Sequence, residues 1–406
     1  MRWSNKGHEF DEYAEKPVSN FIRKEKKIYL FGAGLIGKEI LEIIKKTGCF
    51  AGFIDNDSEK QSFGAHGVNV ISPQCYLDNG SRGIIVITAD EKNSLTIEKQ
   101  LSHMGLEREK DFYGYKSFMR DIFPVLSIYA NNQLYVELAQ ICLTERCTLK
   151  CRKCAHACYA VHGKNQDMKL NTAMESADFF FRHIDIVKEF VLIGGEPFLY
   201  SDLGEIIAYI GEKYREKIVV LSITTNGTMI PKQNILDLCK KYDVTIRISN
   251  YSAVLKGLKE RYTQLIEVLK KNEVLYTISG EELQWMDYGF ETEVRTGSEE
   301  DLVQVFDSCK TPCREIRGSH YHYCVMARSV SDNLKLGVGK EDYLDLLEMH
   351  EEDKKILWEF QMGFSEKGYL EMCKRCRGAE AKKYPIPAAE QVKKPDKRNS
   401  VLGVNE

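Results

Sequence analysis

Cys147-Thr148-Leu149-Lys150-Cys151-Arg152-Lys153-Cys154 follows an apolar run, Tyr135 to Leu143, that leaves through Thr144-Glu145-Arg146. The run predicts a buried strand, and the residues after it an exit turn, so three thiols sit on a loop at a strand's C-terminal end. Three thiolates on one short loop can converge on a soft metal centre. The number matters. A closed zinc or iron–sulfur site takes four protein ligands, whereas a reactive one keeps a coordination position open. Spacing alone leaves two other readings, a structural zinc site completed by His156 or Cys158, and plain buried cysteines.

Two more strand ends follow downstream. Phe190-Val191-Leu192-Ile193 runs into Gly194-Gly195-Glu196-Pro197, and Ile218-Val219-Val220-Leu221-Ser222-Ile223 runs into Thr224-Thr225-Asn226-Gly227. CxxxCxxC, Gly-Gly-Glu-Pro and Thr-Thr-Asn-Gly, in this order and at strand ends, resemble the radical SAM enzyme superfamily over roughly residues 133–300. One position departs from that pattern: Lys153 stands where the family usually carries an aromatic residue packed near the adenine.

The resemblance implies a [4Fe–4S] cluster on Cys147, Cys151 and Cys154, with S-adenosylmethionine on the iron that has no protein ligand. One electron would then cleave the sulfonium C–S bond, and a 5′-deoxyadenosyl radical would abstract hydrogen from a substrate. Gly194 and Gly195 would let the backbone approach the methionyl amino group, Glu196 would accept from it, and Pro197 would fix the turn. Thr224, Thr225 and Asn226 carry donors and acceptors suited to ribose hydroxyls or the carboxylate. Ser249, Asn250 and Arg247 are weaker candidates for the same ligand. Glu196 can also be read as an acid complementing the helix after Ser201-Asp202. Cys158 is read as a packed thiol, with hydrogen-atom donation in an epimerisation as the alternative. His156, His162 and His183 have no metal-ligand spacing.

Toward the N-terminus, Lys27 to Phe31 predicts a strand entering Gly32-Ala33-Gly34-Leu35-Ile36-Gly37. An amphipathic helix to Lys46 and a strand ending in Asp55, 18 positions after Gly37, come next. This is the strand–turn–helix–strand–acid context that a GxGxxG needs. Alternating elements continue to about residue 116 and predict a small Rossmann-like domain over 26–116. Its Phe-Gly-Ala-Gly and Phe-Ile-Asp-Asn-Asp runs resemble nucleotide- or sugar-nucleotide-binding modules of carbohydrate-pathway enzymes. A bound nucleotide or nucleotide-sugar would touch Gly32, Gly34, Gly37 and Asp55. The alternative is a docking module without a ligand.

The remaining organisation is an α/β chain. A lead-in or surface helix occupies 1–25 and a connector 117–133. An open, partial (β/α)6-type barrel spans 134–300, since five or six strand–helix units fall short of a closed eight. A small cysteine-rich section occupies 301–380, and a polar, proline-bearing tail, expected to be disordered, occupies 381–406. In the cysteine-rich section Cys309, Cys313 and Cys324 flank a hairpin turning at Gly318, and Cys373 and Cys376 form a CxxC. That arrangement resembles Twitch or SPASM extensions, which implies an auxiliary [4Fe–4S] cluster with five candidate thiols for at most four positions. A structural zinc site is the alternative.

The chain has 406 residues, 43% apolar and 29% charged, at a net charge of −3, an ordinary globular composition with no electrostatic pull toward nucleic acid or membrane. No 18-residue apolar stretch or signal-type h-region occurs, so a cytoplasmic protein is expected, and its 13 cysteines point to metal chemistry rather than disulfides. The expected function is hydrogen abstraction from a carbohydrate or nucleotide-sugar, giving dehydrogenation, epimerisation or dehydration. A low-potential donor such as flavodoxin or ferredoxin would supply electrons. A peptide maturase, or a zinc or iron–sulfur interaction protein without turnover, are the other readings.

Overall fold

The computed structural model describes residues 1–392 apart from 81, 164–165, 282–283, 292–293, 296, 310 and 338. Near the N-terminus β1 (Ile28–Phe31), β2 (Phe50–Ile54), β3 (Val70–Ile71), β4 (Ile84–Ile87) and β5 (Phe112–Gly114) form a five-stranded sheet in the order β3-β2-β1-β4-β5. Every pairing in it is parallel. All four residues of β4 are buried, because apolar clusters cover both faces of the sheet. The helix Leu35–Lys46 covers one face with Ile40, Leu41, Ile43 and Ile44. The helix Glu91–His103 covers the other with Ile97 and Leu101.

The central sheet is built from β6 (Tyr135–Thr144), β7 (Ile186–Gly194), β8 (Ile218–Thr225), β9 (Val244–Ile248) and β10 (Tyr276–Ile278). After the short β11 (Gln284–Met286) come β12 (Cys313–Arg317), β13 (His320–His322), β14 (Tyr343–Asp345) and β15 (Pro385–Pro387). Its order is β10-β9-β8-β7-β6-β12-β13-β14, open at both ends; the strands from β10 through β12 run parallel and β13 and β14 are antiparallel. Helices Leu170–His183, Leu203–Lys213, Gln233–Lys241 and Leu258–Lys271 supply the crossovers and bury Phe180, Ile206, Leu236 and Leu265 in one core with the strands.

β7 begins at Ile186, ahead of the expected 190. Lys188 and Glu189 hide the pattern, yet each has a partner across the sheet. Lys188 pairs with Glu137, and Glu189 accepts from Ser222 Oγ at 2.7 Å.

The N-terminal module docks on the starting ends of the central strands. Tyr135 and Ile186, the first residues of β6 and β7, belong to its apolar cluster. Glu39 pairs with Lys188 at 3.0 Å, and Lys46 Nζ donates to Glu216 O at 2.6 Å. At about 3.3 Å per residue, the length of β6 puts this junction roughly 30 Å from the cysteine loop.

Two segments are more ordered than their composition suggests. The connector is helical over Phe123–Asn131 and buries Phe123, Val125, Leu126 and Ile128. Within the tail, β15 pairs antiparallel with β11, Ala388 and Ala389 are buried, and Arg152 N donates to Glu390 O at 2.6 Å. Expected disorder therefore gives way to a strap over residues 385–392, while 393–406 lie outside the described residues. Proline-rich composition hid the strap, since an edge strand tolerates prolines.

Candidate functional site

The cysteine loop is held against the end of β7 by backbone contacts. Gly195 N donates to Thr144 O at 2.7 Å and Glu196 N to Arg146 O at 2.8 Å. A Cβ on Gly194 would stand 2.4 Å from Thr144 O, and one on Gly195 2.3 Å from Arg146 O and 2.8 Å from Cys147 Cβ. The space beside both glycines is thus filled by the cysteine loop itself. Their first task is to let two strand ends meet.

Glu196 is fully buried and ties the second motif to the third. Its carboxylate accepts from Thr225 Oγ1 at 2.8 and 2.9 Å, from Asn226 N at 3.0 Å and from Phe198 N at 3.3 Å. Among the described residues no cation pairs with it. Burial pushes its carboxyl up to about 7, with those donors pulling the other way. It caps the turn Pro197–Leu199, so its capping role lies there rather than at the helix Leu203–Lys213.

The three thiols each receive a donor. Cys147 Sγ accepts from Leu149 N at 3.4 Å and Asn226 Nδ2 at 3.5 Å, and Cys151 Sγ from Gln391 Nε2 at 3.3 Å. Burial pushes their thiols up to about 11 and about 12. Cys154 is held below the usual thiol range, first by a hydrogen bond from Cys158, whose own thiol is raised in return. Cys158 also points at Glu145 Oε2 at 3.6 Å, so it is a partner of the loop and not only a packed thiol.

The donors aimed at sulfur favour the thiolate, the form that binds metal, and work against the burial that raises Cys147 and Cys151. Among the described residues no three His, Cys, Asp or Glu side chains are grouped tightly enough for a single metal ion. A cubane takes one thiolate per iron and does not require such a group. The loop fits an iron–sulfur cluster on its donor chemistry.

Residues of β6 to β10 and β12 in the central sheet, with Ser249 and Ser279 beyond the ends of β9 and β10, line a cavity of about 370 Å³. Gln140, Thr224, Arg247, Ser249, Thr277 and Ser279 supply its polar wall. Thr224 and Thr225 therefore separate: the first faces the cavity, and the second turns inward to Glu196. Asn226 spans Cys147 and Thr148, and Asn250 spends its Oδ1 on Ser252. Arg247 Nη1 donates to Glu189 Oε1 at 2.6 Å.

Residues 141–279 match the family model described as the Radical SAM superfamily. A radical SAM domain spans this stretch. The chain is also 35% identical over 95 residues to a probable GTP 3′,8-cyclase of Methanococcus maripaludis, covering 23% of this chain and 29% of that protein. Among solved structures it is similar to BtrN in complex with AdoMet and 2-DOIA, at 15% identity and a TM-score of 0.38, over 64% of this chain and 98% of that one. Streptococcus suis SuiB bound to precursor peptide SuiA matches at 18% identity and a TM-score of 0.29, over 46% and 44% of the two chains. The matched stretch is less than a third of the curated relative's length.

Lys153, in the radical SAM domain's third-cysteine approach, has φ +60° and turns its Nζ to Glu291 at 2.8 Å and Asp287 at 3.5 Å. An aromatic residue absent from the sequence reading stands by the loop instead. Tyr251 lies near Cys151 and Cys154 and packs edge-on against Trp285 at 5.7 Å. Nothing local in Asn250-Tyr251-Ser252 announces this.

Beyond the radical SAM domain, Cys324 is raised well above its usual range by burial, and by the neighbouring Cys376, Cys373 and Cys309. Ala327 N donates to Cys324 Sγ at 3.4 Å and Gly378 N to Cys376 Sγ at 3.3 Å. Cys313 shares Tyr288 as a neighbour with Cys309, Cys324 and Cys376, and it also has contacts of its own. As the first residue of β12 it registers with Leu138 of β6 and lines the cavity in the central sheet.

Between the two groups of thiols lies a buried ion cluster that the sequence reading missed. Arg328, 1% exposed, bonds Glu145 at 2.7 Å through Nη1 and Glu315 through Nε, and Gln140 Nε2 reaches Glu315 at 2.9 Å. Against the upward push of burial, Arg328 holds Glu145 below the usual carboxylate range.

In the N-terminal module, Gly32 has φ +115° with Thr88 O 2.8 Å from where its Cβ would be, and a Cβ on Gly37 would stand 2.1 Å from Gly32 O. Packing accounts for both. Gly34 faces open space. Asp55 turns back onto its own loop, accepting from Ala33 N and Lys60 Nζ, each at 2.9 Å.

Proposed function

We propose that the chain is a radical SAM enzyme acting on a carbohydrate or nucleotide-sugar. Cys147, Cys151 and Cys154 hold a [4Fe–4S] cluster, with S-adenosylmethionine at the iron they leave free. When bound, this pair supplies the radical that takes hydrogen from a C–H bond, and the protein supplies binding, orientation and electrostatics. The observation that carries the substrate reading is the cavity. Its volume of about 370 Å³ suits a small molecule, and the hydroxyls of Thr224, Ser249, Thr277 and Ser279, set among apolar strand residues, suit a polyol.

The chain's own groups divide the work. Glu196 offers a buried carboxylate, with no counter-cation among the described residues, to the amino group of S-adenosylmethionine. Gly194 and Gly195 keep that carboxylate beside the loop, and Asn226 orients Cys147. Thr224 and Ser249 face the cavity where ribose or substrate hydroxyls would lie.

Cys309, Cys324, Cys373 and Cys376 hold an auxiliary [4Fe–4S] cluster, and Cys313 belongs to the cavity wall. An auxiliary cluster can accept the second electron of an oxidation, which favours dehydrogenation over epimerisation or dehydration. A flavodoxin or ferredoxin serves as donor. The N-terminal module takes a nucleotide or nucleotide-sugar at Gly34, away from the radical site. Titrating the full chain with sugar nucleotides, alongside Gly34→Val, tests this last point, and equal binding by both rejects it.

Anaerobic reconstitution followed by reduction tests the main reading. Iron at the loop, release of 5′-deoxyadenosine, and deuterium passing into it from a labelled sugar are expected. Deuterium arriving only from a labelled peptide would move the chain to peptide maturation. Zinc at the loop with no 5′-deoxyadenosine would make it an interaction protein.

A further inference from the structure

The strap at the C-terminal end of the described chain reaches the cysteine loop through side chain as well as backbone. Val392 N donates to Lys150 O at 2.8 Å, and Gln391 and Cys151 form an antiparallel bridge. The Gln391 carboxamide is fixed by its neighbours. Its Oε1 accepts from Lys150 N at 2.7 Å, and its Nε2 donates to Ala389 O at 2.7 Å. Flipping the amide would set N–H against N–H and carbonyl against carbonyl. The remaining Nε2 hydrogen is therefore committed to Cys151 Sγ, at 3.3 Å. Cys151 is 8% exposed, so water does not compete freely for that sulfur.

We infer that Gln391 is a positioning residue that raises the reduction potential of the cluster on Cys147, Cys151 and Cys154. The inference rests on reading that loop as an iron–sulfur site. Adding an electron makes the cluster and its sulfurs more negative, and an N–H donor to a ligating sulfur stabilises the more negative state. Asn226 Nδ2 makes a matching contact to Cys147 at 3.5 Å from within the barrel. Gln391 supplies the same chemistry from 240 residues away in sequence. The strap is anchored on its way to the cysteine loop, since β15, four residues before Gln391, pairs with β11.

The test compares full-length wild type, Gln391→Leu and Gln391→Glu after anaerobic reconstitution. Electron paramagnetic resonance during a redox titration follows the cluster whose signal changes on adding S-adenosylmethionine. Gln391→Leu removes the donor. Gln391→Glu keeps an acceptor for Lys150 N but replaces the donor with negative charge. The expected midpoints fall in the order wild type, Leu, Glu, with about a tenfold shift in the reduced-to-oxidised ratio for Leu, or about 59 mV for one electron.

That ordering is a signature a purely structural strap would not give. Equal midpoints in wild type and Gln391→Glu overturn the inference. Should Gln391→Leu not hold iron at the loop, the Glu variant, which keeps the Lys150 anchor, carries the comparison. A wild-type loop that takes up no iron overturns the reading of the loop itself, and that result is seen before any variant is made.

Discussion

Replacing Gly195 by alanine puts the geometry of the cysteine loop to its most direct test. The new methyl would stand 2.3 Å from Arg146 O, 2.6 Å from the Arg146 carbonyl carbon and 2.8 Å from Cys147 Cβ. Carbon atoms rest at about 3.5–4.0 Å, so the loop and the end of β7 must part by roughly 1 Å. Neither side yields cheaply, because the nearest atoms are backbone. Parting them stretches the bonds Gly195 N to Thr144 O and Glu196 N to Arg146 O.

Overpacking of this kind costs about 1–3 kcal/mol, and a weakened backbone bond adds about 1 kcal/mol. The site suffers more than the fold, since a displacement of about 1 Å at a reacting centre can cost on the order of 100-fold in rate. The assay is iron per chain after anaerobic reconstitution, with 5′-deoxyadenosine release on reduction. Gly195→Ala should lose the loop's cluster, about half of the total iron, while Cys309, Cys324, Cys373 and Cys376 keep the rest. Gly34→Ala, which meets nothing within 4 Å, is the control and should match wild type in iron. Full iron loading together with wild-type 5′-deoxyadenosine release in Gly195→Ala would refute the argument from close approach.

Glu196→Gln should flatten a pH dependence of stability. The folded carboxyl, near 7 through burial, holds a proton that the unfolded one, near 4.5, has lost, so stability falls as pH rises from about 4.5 to about 7. The loss is on the order of 3 kcal/mol, and urea denaturation at pH 5 and pH 8 measures it in both proteins. Arg328→Met leaves Glu145 and Glu315 buried without their cation and should cost about 3–5 kcal/mol in the same assay. Cys309→Ala should lose the auxiliary iron, whereas Cys313→Ala, on the barrel wall, should keep both complements; metal analysis separates them.

Much of this was legible before any coordinates. The strands β6 and β8, the repeat of strand–helix units and the three motifs at strand ends all follow from local signals. Apolar period fixes an element's type, and glycines and small polar residues mark where a strand stops. The hairpin turning at Gly318 was legible for the same reason, being a short-range feature. The early start of β7 was not, because Lys188 and Glu189 read as solvated until their partners Glu137, Ser222 and Arg247 are seen.

The sequence by itself determined the loop of three thiols, the two motifs that meet it, and the alternation that makes an open parallel sheet. Tertiary structure alone decided which thiols face one another. β12 inserts beside β6, and that pairing brings Cys313 to the cavity lining, while Cys324 has Cys309, Cys373 and Cys376 as neighbours. It also decided that the N-terminal module sits at the far end of the strands, that Arg328 lies between two carboxylates, and that Gln391 reaches Cys151. Each of these depends on a pairing between segments far apart in the chain. Neighbouring residues carry no trace of such pairings, because the partner that satisfies a buried group is chosen by the packing of the whole sheet.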